Sequence, residues 1–208
     1  MVGGKSMEAF IHGTVLAFGL ILPLGGQNVF VFNQGANHPK FIYALPAIIT
    51  ASICDTVLIL LAVAGVSLII LSFAWLKTFI FIIGIAFLLY MGWVMWRSAA
   101  EVHNSEESQP FTVKRQIIFA ASVSILSPHA ILDTIGVIGT SSFIYTGIDK
   151  WIFTFACIFI SWLWFFGLAL AGRKIGQIDK NGKLLKRFNQ ISAIIIWLMA
   201  LYLGVQLV

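Results

Sequence analysis

The chain alternates long apolar stretches with short polar interruptions. A helix crossing the hydrocarbon core needs about 20 mostly apolar residues. Six stretches meet that length: 9–32, 41–72, 76–96, 114–143, 150–172 and 188–207. Between them lie NQGANHPK, a short turn near Trp75, RSAAEVHNSEESQP, YTGIDK and RKIGQIDKNGKLLKR. No separator is long enough for a folded domain of its own, so a soluble catalytic head is excluded. The pattern predicts an all-α integral membrane protein of six transmembrane helices, with residues 1–208 forming a single membrane domain.

Composition supports the same class. Apolar residues make up 60% and charged residues 10% of the chain, against about 25% charged in soluble domains. Mean hydropathy is +0.97. Lys5 precedes the first apolar stretch, as in a signal peptide. Glu8 and His12 interrupt that stretch, however, and no small-x-small cleavage pattern follows, so the segment is expected to be retained. Cys54 and Cys157 both lie inside apolar stretches and read as small buried hydrophobes, not as a disulfide framework. The net charge of +5 comes from basic residues beside spans and is no nucleic-acid signal. With the N-terminus cytoplasmic, three Lys/Arg would face the cytoplasm and ten the other side. The positive-inside rule therefore favours both termini outside. The basic 173–187 segment most simply meets anionic headgroups.

Two proline-containing motifs repeat at a shift of 105 residues: Pro23 falls on Pro128, Gly25 on Ala130 and Asn28 on Asp133. Each opens a three-span half, 1–97 or 113–208, joined by the 98–112 loop. Three spans per half put the halves in opposite topology, and interrupted helices at matching places in inverted repeats point to a transporter's binding site. The expected architecture is two inverted three-helix repeats, with the first helix of each broken at Pro.

The candidate chemistry gathers at these breaks. Pro23 and Pro128 each remove an amide donor, which hydrocarbon tolerates only where the protein satisfies the freed groups or lines a cavity with them. Gly25 and Gly26 expose backbone, a half-helix N-terminus suits a carboxylate, and Gln27 and Asn28 supply donors and acceptors. Asp55 stands inside an apolar stretch, where a carboxylate costs roughly 2.5–3.5 kcal/mol. It should face the interior or a water-filled cavity, or it makes a helix-packing contact through Ser52 and Thr56. Asp133 follows Pro128 by five residues, with His129 one turn before it. The pair could bind each other, whereas two ligands make a poor metal site. Backbone donors with two carboxylates complement a zwitterion carrying an extra positive charge, as in a basic amino acid. Trp162 and Trp164 in SWLWFFG either pack against lipid and helices or stack on a cation. Gly167 and Ala171 form a small-x3-small pair suited to close helix approach. Trp75, Tyr90, Trp93, Trp96 and Trp151 read as interfacial belt residues.

At ILPLGGQNVFVFNQG (21–35), SICDTVLILLAVAG (52–65), SPHAILDTIGVIGT (127–140) and WLWFFGLAL (162–170), the sequence resembles the LysE/ArgO family of bacterial basic amino-acid exporters. Gly26 stands where the family pattern usually has proline, and Ser127 where an asparagine usually precedes Pro128. The resemblance implies lysine or arginine export across the bacterial cytoplasmic membrane, with Asp55 and Asp133 at the acidic positions of the pattern. It implies no cofactor and no metal. An inside-negative potential opposes exit of a cation by about 2.3 kcal/mol per charge per 100 mV. Exchange for an entering proton makes the cycle electroneutral, with Asp55, Asp133 and His129 as the proton-handling groups. Export of neutral amino acids or divalent cations, an intramembrane enzyme around His129 and Asp133, and a purely structural role are the competing readings. No GxSxG or HExxH constellation supports the enzyme. The expected partners are substrate, protons and the bilayer, and a homodimer is compatible with the small-residue face.

Overall fold

The computed structural model describes residues 2–22, 25–65, 74–101, 111–127, 131, 134–179 and 182–207. Among these residues there is helix and turn, and no strand. Helix α1 (Val2–Ile21) stops inside the first apolar stretch, and α2 (Gly26–Asn37) leaves at 81° to it. A 3-10 turn at Phe41–Ala44 leads into α3 (Leu45–Val63), with Pro46 in its first turn, where a missing amide donor costs nothing. Helices α4 (Ala74–Glu101) and α5 (Val113–Ile125) follow. A wide π-helical turn, Thr134–Gly139, runs into a last helical turn at Thr140–Ser142. The long helices α6 (Gly147–Ile178) and α7 (Lys183–Leu207) complete the chain.

Three helical stretches, Phe41–Val63, Gly147–Ile178 and Lys183–Tyr202, are long and apolar enough to cross a membrane; the bent pair Gly4–Ile21 with Gly26–Asn37 makes a fourth span if counted as one. Ile82–Arg97 is a shorter apolar helix. The apolar pattern located these helices but not all their ends. The stretch 9–32 is two helices at a sharp angle. The helix expected to reach residue 72 ends at Val63, followed by Gly65 at a φ of +89°, a value an L side chain rarely takes. The basic segment 173–187 is mostly helical, since α6 continues through Ile178 and α7 begins at Lys183. Lys, Arg, Gln and Leu are good helix formers. The turn between the helices closes where Asp179 Oδ2 accepts the Leu185 amide at 2.7 Å, capping the start of α7.

Burial follows the logic of a protein solvated by lipid. Phe155, Phe159, Leu163 and Leu170 on α6 are exposed, while Cys157, Ser161, Phe165, Ala169 and Gly172 on the same helix are buried. Large apolar side chains dominate the outward face, while the inward face mixes small and polar residues with Phe153 and Phe165. Trp75, Tyr90, Trp93, Trp96 and Trp151 are all exposed, as belt residues should be. Helix α2 is the exception to any two-faced pattern, because nine of its residues, Gly26 and Asn28 through Gly35, are buried.

Packing around α2 explains that burial. Val29 joins Met91 of α4, Val123 of α5 and Ile196 of α7 in one apolar cluster. Phe30 and Val31 join Ile48 of α3, Ala120 of α5 and Phe165 of α6 in a second. A third cluster, Ala9, Ala17, Ile59, Val63, Ile138, Phe153 and Cys157, ties α1 to α3 and α6. The extensive pairings are α4 with α7, α1 with α6, α2 with α6, and α3 with α5, α6 and the π-helical turn.

Helix α2 meets α6 backbone to backbone. A Cβ on Gly35 would collide with the Ala169 carbonyl, one on Gly172 with the Phe32 carbonyl, and one on Gly176 with the Ala36 carbonyl. Gly167, expected with Ala171 at a close helix contact, has nothing within 4 Å of its Cβ position. The close approach lies on a different face, about 140° round the helix from Gly167, at Gly172. Gly172→Leu is therefore expected to lower thermal stability in detergent by about 1–3 kcal/mol or more, while Gly167→Leu leaves the melting temperature near that of the wild type. Equal melting of the two variants would remove the glycine contact as the basis of this packing.

Candidate functional site

The break between α1 and α2 opens into a cavity of about 100 Å³, lined by Gly25, Gly26, Gln27 and Asn28 together with Asp55, Ser127, Thr134, Cys157 and Ser161. Leu20, Ile21, Ile59, Leu88, Ile138 and Phe165 supply the apolar part of the wall, and a space of that size has room for water beside the polar groups. The first motif and Asp55, far apart in sequence, thus share one site. Pro23, Pro128, His129 and Asp133 lie outside the described residues. Their neighbours Ser127 and Thr134 both line the cavity.

The start of α2 faces this cavity. Gly25, the N-cap of α2, is extended (φ −77°, ψ 171°) and offers no side-chain cap. Nothing lies within 4 Å of its Cβ position, so the backbone here is open to the cavity. The first-turn amides carry the positive end of the α2 dipole. Gly26 differs: a Cβ there would meet the Met91 methyl at 3.3 Å, so this glycine also serves packing.

Asn28 holds the break together. Its Nδ2 donates to the Ile21 carbonyl at 2.8 Å, satisfying an acceptor that the end of α1 leaves without a helical partner. Its Oδ1 accepts from Trp164 Nε1 at 3.3 Å.

Asp55 presents its carboxylate to the same space. Gln27 Nε2 donates to Oδ1 at 3.1 Å and Ser161 Oγ to Oδ2 at 2.9 Å. Both partners are neutral, and each oxygen keeps a further lone pair for another donor. A helix-packing contact through Thr56 also forms beside Asp55: Trp162 Nε1 of α6 donates to Thr56 Oγ1 at 3.0 Å, while Thr56 donates to the Ser52 carbonyl at 2.7 Å. Ser161 and Thr134 were not singled out from the sequence as site residues. The signal available for Ser161 was a small hydroxyl midway along an apolar span, obscured by the aromatic residues after it.

Two further polar clusters sit at opposite ends of α3. At its start, Gln116 Nε2 lies within 3.0 Å of the carbonyls of Tyr43 and Phe111 and of His38 Nε2, which is itself 3.3 Å from Gln34 Oε1. Burial pushes the His38 imidazole below its ordinary pKa. Near the other end of α3, His12 Nδ1 and the Tyr145 hydroxyl are 2.9 Å apart, His12 packs on Phe153, and Ser6 donates to Asp149 at 2.6 Å. The first cluster is buried and the second only partly so.

Comparison with known proteins gives a consistent set of matches. The family model "LysE type translocator" matches residues 18–207. A Bacillus subtilis protein named "Putative amino-acid transporter YisU" is 55% identical over 202 residues, covering 97% of this chain and 91% of that protein. The Arginine exporter protein ArgO of Escherichia coli is 32% identical over 199 residues, covering 94% of this chain and 92% of the exporter. ArgO of Salmonella newport matches to the same extent. No solved structure matches.

The role of Asn28 can be measured directly. Asn28→Leu keeps the volume but leaves the Ile21 carbonyl without its donor, which is expected to cost about 1–3 kcal/mol. Thermal unfolding in detergent reads this as a lowered midpoint, and a midpoint equal to wild type would show that the carbonyl finds another partner.

Proposed function

The chain belongs to the LysE type translocator family, and we propose that it exports a basic amino acid, lysine or arginine, across the bacterial cytoplasmic membrane by proton-coupled alternating access. As a translocator it is a transporter and not an enzyme, which retires the intramembrane hydrolase reading. The observation that carries the proposal is Asp55, a carboxylate facing a membrane-embedded cavity with two neutral hydrogen-bond partners. Such a group is costly in hydrocarbon, and a bound cation or proton relieves that cost.

The substrate's carboxylate is assigned to Gly25, Gly26 and the first turn of α2, where Gln27 and Asn28 add polar groups. Its cationic end goes to Asp55, with Asp133 completing the site from the second break. Asp55, Asp133 and His129 exchange the proton. One charge leaving for one proton entering makes the cycle electroneutral, so the pH gradient drives it against the opposing voltage.

The packing supports two inverted halves, 1–97 and 113–208, joined by 98–112. Helix α4 pairs with α7; α1 pairs with α6 as α5 pairs with α3; α2 lies on α6 as the π-helical turn lies on α3. Each relation maps onto its counterpart when the halves exchange, as an in-plane two-fold requires. The two end clusters fit the same scheme. The His38–Gln116 cluster joins the segment after α2 to the start of α5, and the His12–Tyr145 cluster joins the segment after the π-helical turn to α1. These are the contacts an alternating-access cycle would open in turn.

Purified protein in proteoliposomes tests the reading by counterflow of labelled lysine, arginine and neutral amino acids. Saturable exchange of the basic amino acids, accelerated by a pH gradient, is expected. Asp55→Asn and Asp133→Asn are each expected to abolish that exchange while inserting normally. Exchange of neutral amino acids alone would move the substrate assignment, and normal proton-driven export by both variants would sink the carboxylate mechanism.

A further inference from the structure

We infer that one segment of α6, Ser161 to Trp164, positions both ends of the transport site: Ser161 sets the Asp55 carboxylate, and Trp164 sets Asn28 at the helix break. The inference rests on the export reading above and adds positioning residues to it.

Three donors from this short segment reach three acceptors on two other helices. Ser161 Oγ donates to Asp55 Oδ2 at 2.9 Å, Trp162 Nε1 to Thr56 Oγ1 at 3.0 Å, and Trp164 Nε1 to Asn28 Oδ1 at 3.3 Å. Asp55 and Thr56 are consecutive on α3, and Asn28 lies in the first turn of α2. Trp162 and Trp164 project about 200° apart around a helix, which is how one segment serves neighbours on two sides.

Each bond restricts a choice the acceptor would otherwise have. Ser161 is 3% exposed, and its single hydroxyl proton is committed to Asp55. Together with Gln27 on the other oxygen, it fixes the carboxylate plane and leaves one edge for a ligand. Asn28 could present its amide in either of two orientations. Trp164 can only donate, so it requires Oδ1 on its own side and turns Nδ2 toward the Ile21 carbonyl. Phe18 holds the Trp164 ring edge-on, with centroids 5.6 Å apart. A displacement of α6 therefore moves the cation-binding group and the break together, although they belong to separate helices.

The test is the KM for labelled arginine and lysine in proteoliposomes. Ser161→Ala is expected to raise KM about tenfold with Vmax little changed, and Ser161→Thr, which keeps the hydroxyl, to restore it. Trp164→Phe keeps the ring and loses the N–H, and should raise KM roughly two- to tenfold. In an Asn28→Ala background the same Trp164→Phe change should add nothing, because its effect travels through Asn28. A bulk packing role would not give that cancellation. Additive effects would overturn the Trp164 assignment, and an unchanged KM in Ser161→Ala would overturn that of Ser161. If Ser161→Ala does not fold, Ser161→Cys, a near-isostere with a weak donor, carries the same expectation. A wild-type protein that moves neither amino acid ends the export reading itself, and this inference with it.

Discussion

Hydrocarbon supplies no hydrogen bonds, so a helix that ends inside it must find partners for its last carbonyls within the protein. At Ile21 that requirement is met by one side chain, Asn28, reaching back across the break from the first turn of the next helix. Much of the bundle can be read as the support for that reach. Helix α2 must lie close enough to turn its first residues toward α1, and it does so by sinking into the bundle on every side. Its glycine contact with α6 lets the two backbones touch, and α6 in turn brings Trp164 onto the far side of Asn28.

Burying α2 has a second effect. The helix carries Asn28, Asn33, Gln34 and, just beyond it, His38, all at most 7% exposed. Asn33 donates to Asn189 of α7 at 2.8 Å, while Gln34 meets His38 and His38 meets Gln116. These bonds specify where α2 sits with a directionality that apolar contacts lack. They are also reversible, since each donor or acceptor can exchange its partner for water. Gln116 illustrates this: three neighbours crowd its Nε2 while its Oε1 finds no donor among the described residues, so its present set of bonds is a compromise.

Much of this could be read from the sequence because hydrocarbon imposes simple rules. Apolar runs of span length located most of the helices, and the Gly25–Gly26 pair falls where α2 begins. Asp55 announced itself as a carboxylate in an apolar stretch. What stayed hidden depended on which way a helix is turned. Gly167 and Gly172 are equally small, and sequence spacing pointed to the first, whereas the contact is made by the second. Ser161 looked unremarkable beside four aromatic residues, yet it touches Asp55. The two tryptophans suggested lipid or a cation, while their indole nitrogens bond Thr56 and Asn28. Helix ends outside the apolar stretches were also invisible, because the basic residues of 173–187 favour helix as readily as they mark a loop.

The length of α6 has an electrical consequence. Its 32 residues span about 48 Å, well beyond a hydrocarbon core of about 30 Å. The basic residues from Arg173 onward collect at one end, the end that the proposed transmembrane setting would seat among headgroups. Counting back at 1.5 Å per residue, Ser161 lies roughly 18 Å from Arg173 and about 21 Å from the Gly147 end. In the proposed transmembrane setting, its partner Asp55 then falls near the middle of the span. In the proposed cycle a charge arriving there from either face crosses about half of the potential, or ~1.2 kcal/mol per 100 mV. Voltage is thereby divided between two steps of similar size, and neither the loading of the site nor its release carries the whole electrical load.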